Sequence, residues 1–150
     1  MRAVDTWLSE YGESHTNATN KLIHWVCVPA IVWSVVALIW SIPSPADWLN
    51  WAVLIAAVAQ LYYIKLSPKL SVGIGLFLLA CLGLCLLVEQ RLNWPLWLVA
   101  LTVFVVAWIG QFIGHQIEGK KPSFFKDLVF LLIGPAWLMA FVYRRFGLSY

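Results

Sequence analysis

Three histidines, His15, His24 and His115, are the residues of this 150-residue chain best suited to chemistry, and each has polar company at helical spacing. Tyr11 precedes His15 by four residues, Asn20 precedes His24 by four, and Gln111 precedes His115 by four, with Glu118 three residues beyond it. On a helix each such pair shares a face. Imidazole is the commonest protein metal ligand. Three imidazoles beside a carboxylate suit iron(II) or zinc and leave coordination positions open. A membrane di-iron hydroxylase needs many more histidines and is excluded by counting. A b-type haem, gripped by His24 and His115 from two helices, stays open. So does a non-enzymatic transport or assembly protein whose histidines only anchor helices at an interface.

The elements that must position these residues are mostly membrane. Hydrophobic residues make up 62% of the chain and charged residues 11%, more apolar surface than a soluble domain of this length can bury. The runs 22–46, 48–64, 70–88 and 92–117 each approach the roughly 17–25 residues of a spanning helix. A fifth, 128–143, is short unless the stems of Lys126 and Arg144 snorkel. The expected fold is all-α, a single polytopic helix bundle of four to five spans. An amphipathic interfacial helix over residues 2–15 precedes it, with Val4, Trp7, Leu8 and Tyr11 on one face. No cleavable leader is expected, because the first 21 residues hold five charges and no apolar core. Cys27, Cys81 and Cys85 lie inside apolar runs and read as packing residues.

Odd crossings leave one side of the membrane and even crossings return to it, so all three histidines meet at one face. His15 and His24 are nine residues apart, on opposite faces of a continuous helix at 100° per residue, and meet only across a bend. The stretch Thr16–Asn20 is where the bend belongs, with Thr19 or Asn20 as the cap of the next helix. Gly134-Pro135 should kink the last helix. With five crossings, seven Lys and Arg side chains lie on the histidine side and three on the other; a re-entrant last segment makes it nine against one. Either count puts the histidines in the cytoplasm. Trp40, Trp48, Trp51, Trp94 and Trp97 would form an aromatic belt at the opposite face. The net charge of +3 gives no reason to expect nucleic acid.

The pattern Tyr11-x3-His15-x4-Asn20-x3-His24-x4-Pro29, then Trp108-x2-Gln111-x2-Gly114-His115-x2-Glu118-x3-Pro122 and Gly134-Pro135, resembles the small integral-membrane family of the yeast 2-hydroxy-fatty-acid dioxygenase. The resemblance covers nearly the whole chain. It implies Fe(II) as cofactor, His15, His24 and His115 as its ligands, and a 2-hydroxy fatty acid and O2 as substrates in a one-carbon α-oxidation. Tyr11, Asn20, Gln111 and Glu118 then belong to the catalytic surroundings, with Glu118 expected as an outer acceptor for a ligand imidazole. Lys21, Lys120 or Lys121 could steer the carboxylate. The bilayer in question is the inner membrane in a bacterium and the endoplasmic reticulum in a eukaryote.

Overall fold

The computed structural model describes residues 2–119 and 124–150, with backbone alone for 124–128. Among them it contains six helices and no strand: α1 (Ala3–Glu13), α2 (Ala18–Trp40), α3 (Trp51–Leu66), α4 (Pro68–Arg91), α5 (Leu96–Glu118) and α6 (Phe124–Arg145). Three of these, α2, α4 and α5, are long and apolar enough to cross a bilayer; α3 is apolar but has only 16 residues. Their outer faces leave Leu22, Val26, Val58, Leu76, Leu79 and Val106 open. That much contiguous apolar surface requires lipid, and the chain is an all-helical membrane protein.

Helix α1 forms as expected, but its apolar face is not left for the bilayer. Val4, Leu8 and Tyr11 are buried in one core with Tyr63 of α3, Leu70 and Ile74 of α4, and Ile133, Ala136 and Ala140 of α6. Asn17, rather than Thr19 or Asn20, caps α2: its Oδ1 accepts from Thr19 N at 2.9 Å and Asn20 N at 3.2 Å. Helix α3 likewise starts inside the apolar run 48–64, where Asn50 Oδ1 accepts from Ala52 N and Val53 N. The chain therefore breaks over Ser14–Asn17, between α1 and α2.

Helices α2 and α5 form the closest seam, made possible by Gly110 and Gly114. A Cβ at Gly114 would sit 2.4 Å from Asn20 Oδ1, and one at Gly110 would sit 2.6 Å from Cys27 Sγ. This is the small-x3-small approach by which membrane helices bring their backbones together.

Helix α6 continues through Pro135 and stays at the histidine end of the bundle. Tyr63 Oη donates to Leu132 O at 2.8 Å, Tyr143 Oη to Lys69 O at 2.6 Å, and Gly73 N to Tyr143 Oη at 3.2 Å. Tyr63, Lys69 and Gly73 all flank the α3–α4 turn. Among the described residues, the core at the opposite end, built from Trp33, Ala37, Cys81, Cys85, Leu96 and Ala100, contains none from α6. A helix that re-crossed the bilayer would reach that core. These contacts favour a last segment lying along the histidine face over a fifth crossing. At the far end Trp48, Trp94 and Trp97 are exposed, and Trp40 Nε1 donates to Glu89 at 3.2 Å.

Candidate functional site

The bend at Ser14–Asn17 turns His15 back onto the first turns of α2, and its Nε2 lies 2.8 Å from Nε2 of His24. Both rings are deeply buried, at 3% and 1% exposure. Each ring uses its other nitrogen locally. His15 Nδ1 bonds Tyr11 O, and His24 Nδ1 bonds Asn20 O at 2.9 Å. A carbonyl can only accept, so both Nδ1 atoms carry the proton, and in the neutral rings both Nε2 atoms present lone pairs. Two lone pairs facing at 2.8 Å repel unless a cation, either a proton or a metal ion, sits between them.

His115 enters from the end of α5, its ring centroid 5.9 Å from that of His24 and 6.5 Å from that of His15. Its Nδ1 is buried without a hydrogen-bond partner. The structure thus brings all three histidines into one cluster, with His115 set back. Among the described residues no three His, Cys, Asp or Glu side chains are close enough together to hold a metal ion as they stand. The donor chemistry of the pair nevertheless fits one. Two imidazole nitrogens bound at right angles, each ~2.0–2.1 Å from an ion, lie about 2.9 Å apart, close to the 2.8 Å between His15 and His24.

The remaining residues divide between lining the cluster and bracing it. Tyr11 stacks on His15 with centroids 4.1 Å apart and planes 8° from parallel. Trp137 and Phe130 of α6 close over Tyr11 at 5.3 and 5.2 Å. Asn20 is fully buried; its Nδ2 donates to Ser14 O and to Glu118 Oε2, and its Oδ1 rests against Gly114. Gln111 is buried with Oε1 unpartnered, as is Nε1 of Trp108.

Glu118 faces the bend. Its Oε1 accepts from Thr16 N at 3.1 Å and from Thr16 Oγ1, and its Oε2 from Asn17 N at 3.0 Å and Asn20 Nδ2 at 3.0 Å. A carboxylate from the end of α5 therefore clasps the start of α2, an anion at a helix N-terminus where peptide dipoles favour it. Three of these bonds come from the bend and the fourth from Asn20 in the first turn of α2; none comes from an imidazole. Lys21 is exposed on the first turn of α2, whereas Lys120, Lys121 and Pro122 lie outside the described residues. Sequence reasoning missed Trp137 and Gly110, and it named Thr16 only as part of the bend and Gly114 only as part of the motif. The Gly110-x3-Gly114 spacing was the signal for the seam.

Residues 1–146 match the family model described as "Mpo1-like: 2-hydroxy-palmitic acid dioxygenase Mpo1-like". The chain is 27% identical over 134 residues to the 2-hydroxy-palmitic acid dioxygenase MPO1 of Saccharomyces cerevisiae, an alignment covering 88% of this chain and 75% of that one. No solved structure matches it.

Proposed function

The chain belongs to the Mpo1-like family, and we propose that it shortens 2-hydroxy fatty acids by one carbon in an O2-dependent reaction, with ferrous iron held by His15, His24 and His115. The observation that carries this reading is the pair of Nε2 lone pairs facing each other at 2.8 Å inside the protein, which a bound cation would satisfy. Iron bound there would supply the O2-reactive one-electron chemistry that side chains lack. Loss of C1 as CO2 takes four electrons from the acid and O2 accepts four, leaving the shorter acid and water. No further reductant is needed.

The chain's own residues orient and shield. Bonds to Tyr11 O and Asn20 O fix the tautomers of the two paired rings and aim their Nε2 atoms. Tyr11 and Trp137 cover His15 from one side. Gln111 and Asn20 provide buried amides near the cluster, and the exposed Lys21 attracts the acid's carboxylate.

We take α3 as a fourth crossing, so that α2 through α5 run alternately across the bilayer and α6 rests on the histidine face. Nine of the ten Lys and Arg residues then share that face, with Arg91 alone opposite, which makes it cytoplasmic. The test is anaerobic reconstitution with ferrous ion, metal counting, and product analysis by lipid mass spectrometry. About one iron per chain and an acid one carbon shorter are expected. A protein that takes up no iron and leaves the acid intact would overturn the reading, and a Soret band would replace it with haem.

A further inference from the structure

Beneath α6 lies a cavity of ≈120 Å³ whose walls are apolar throughout. Trp25, Val28 and Pro29 of α2 form one side, Phe77 of α4 a second, and Pro135 and Met139 of α6 the roof. Cavities of this order in proteins stay dry and accept an apolar guest about the size of benzene. This one is too narrow for a helix and suited to a hydrocarbon chain.

Its position relates it to the histidine cluster. Val28 is one helical turn beyond His24, and Pro135 follows Gly134, whose Cβ position is 3.2 Å from both Tyr11 Oη and Val28 Cγ1. Val28 and Gly134 thus form the partition at which the polar cluster gives way to apolar wall. From Pro135 to Val142, which marks the other end of the roof, α6 rises about 10 Å. Phe141 is exposed beside that end and meets the ring of Trp25 edge to face at 5.3 Å, so the cavity's outer flank is turned to lipid.

We propose that this cavity holds the acyl chain of the substrate, specifically the carbons that follow its polar head. The inference rests on the 2-hydroxy acid reading of the cluster and assigns the part of the protein that selects the chain. The occupant is the substrate rather than a bilayer lipid because Val28 of the cavity wall is one helical turn from His24 and meets Gly134, which borders Tyr11, so a head received at the cluster would leave its chain at this wall. The two helix-interior prolines fit that use. Pro29 and Pro135 each remove one backbone donor from a helix and both line the space.

The test uses the full-length protein in vesicles with two photoprobes, a 2-hydroxy acid carrying a mid-chain diazirine and a phospholipid carrying the same group. The acid is expected to label the lining residues Trp25, Val28, Phe77 and Met139, and the phospholipid to label outward residues such as Leu22, Leu79 and Val106. Val142→Trp, at a half-buried position, fills the outer end. It should cut labelling by the acid about tenfold, equivalent to ~1.4 kcal/mol and within the range for overpacking, with iron content unchanged. Phe77→Trp is a second filling variant should the first fail to fold. Equal labelling of the cavity by the phospholipid, or labelling by the acid that neither variant reduces, would overturn the proposal. Cavity labelling without shortening of the acid would instead remove the dioxygenase reading and leave the chain site standing. Shortening with labels elsewhere would do the reverse.

Discussion

For the proposed iron site, Glu118→Gln separates a residue that would bind the metal from one that holds the histidines in place. The wild-type carboxylate accepts four bonds, two on each oxygen. A glutamine can keep the pair from Thr16 on its remaining oxygen. Its NH2 then faces two donors, Asn17 N–H and Asn20 Nδ2, where a carboxylate oxygen had accepted both at 3.0 Å. Bonds to a charged acceptor contribute about 1.5–3 kcal/mol each when buried. Glu118 is partly open to solvent, so screening and replacement by water reduce this to roughly 1 kcal/mol per bond. The bend between α1 and α2 should therefore lose ~2 kcal/mol, or about 30-fold in iron affinity if all of it falls on the placement of His15. The assay is anaerobic ferrous titration of the wild type, Glu118→Gln, His15→Ala and the double variant. A residue acting through His15 should cost nothing further once His15 is gone, so the two losses should be strongly non-additive. Fully additive losses, or unchanged affinity in the single variant, would refute the clasp. Loss of all iron in Glu118→Gln, matching a histidine variant, would make the carboxylate a ligand.

Replacing His15, His24 or His115 by Ala should each remove most of the iron and nearly all turnover while the protein still inserts, since apolar spans govern insertion; full metal content in all three variants would exclude direct ligation. Gly114→Ala drives a methyl to 2.4 Å from Asn20 Oδ1 and should lower stability by about 1–3 kcal/mol, the usual cost of overpacking, read as thermal unfolding in detergent. Gly83→Ala, which meets nothing within 4 Å, is the control and should be neutral or slightly stabilising, because alanine is the better helix former. Cysteines placed at Ser14 and Ser149 should react with an impermeant maleimide from the same side of the membrane, and one at Ser44 from the opposite side. Opposite sidedness of Ser14 and Ser149 would restore the fifth crossing.

The sequence and the structure agree where a physical signal is carried by single side chains. Polar residues stranded in apolar runs must turn toward protein or water, and that constraint, with crossing parity, is enough to bring His15, His24 and His115 to one end. The bend was legible too, because Ser, Thr and Asn compete with the helix for backbone bonds. Its cap was not, since Asn17, Thr19 and Asn20 are all competent and only the path of the chain selects among them. The packing faces of the spans are not legible for a related reason. Helices α2 to α5 are apolar nearly all round, so periodicity does not say which side meets protein, and the α2–α5 seam is set by two glycines that have no side chain to read. The same absence hid the course of α6. Its apolar length is equally suited to crossing a thin bilayer or to packing over the ends of other helices, and what distinguishes them is where its partners lie. Tyr63, Lys69 and Gly73 come together only after α3 and α4 have folded back on each other. Helix α6 is thus held at the histidine end by contacts more than fifty residues away in sequence, and it both closes over Tyr11 and roofs the apolar cavity. The surroundings of the histidine cluster depend on this tertiary closure as much as on the three histidines themselves.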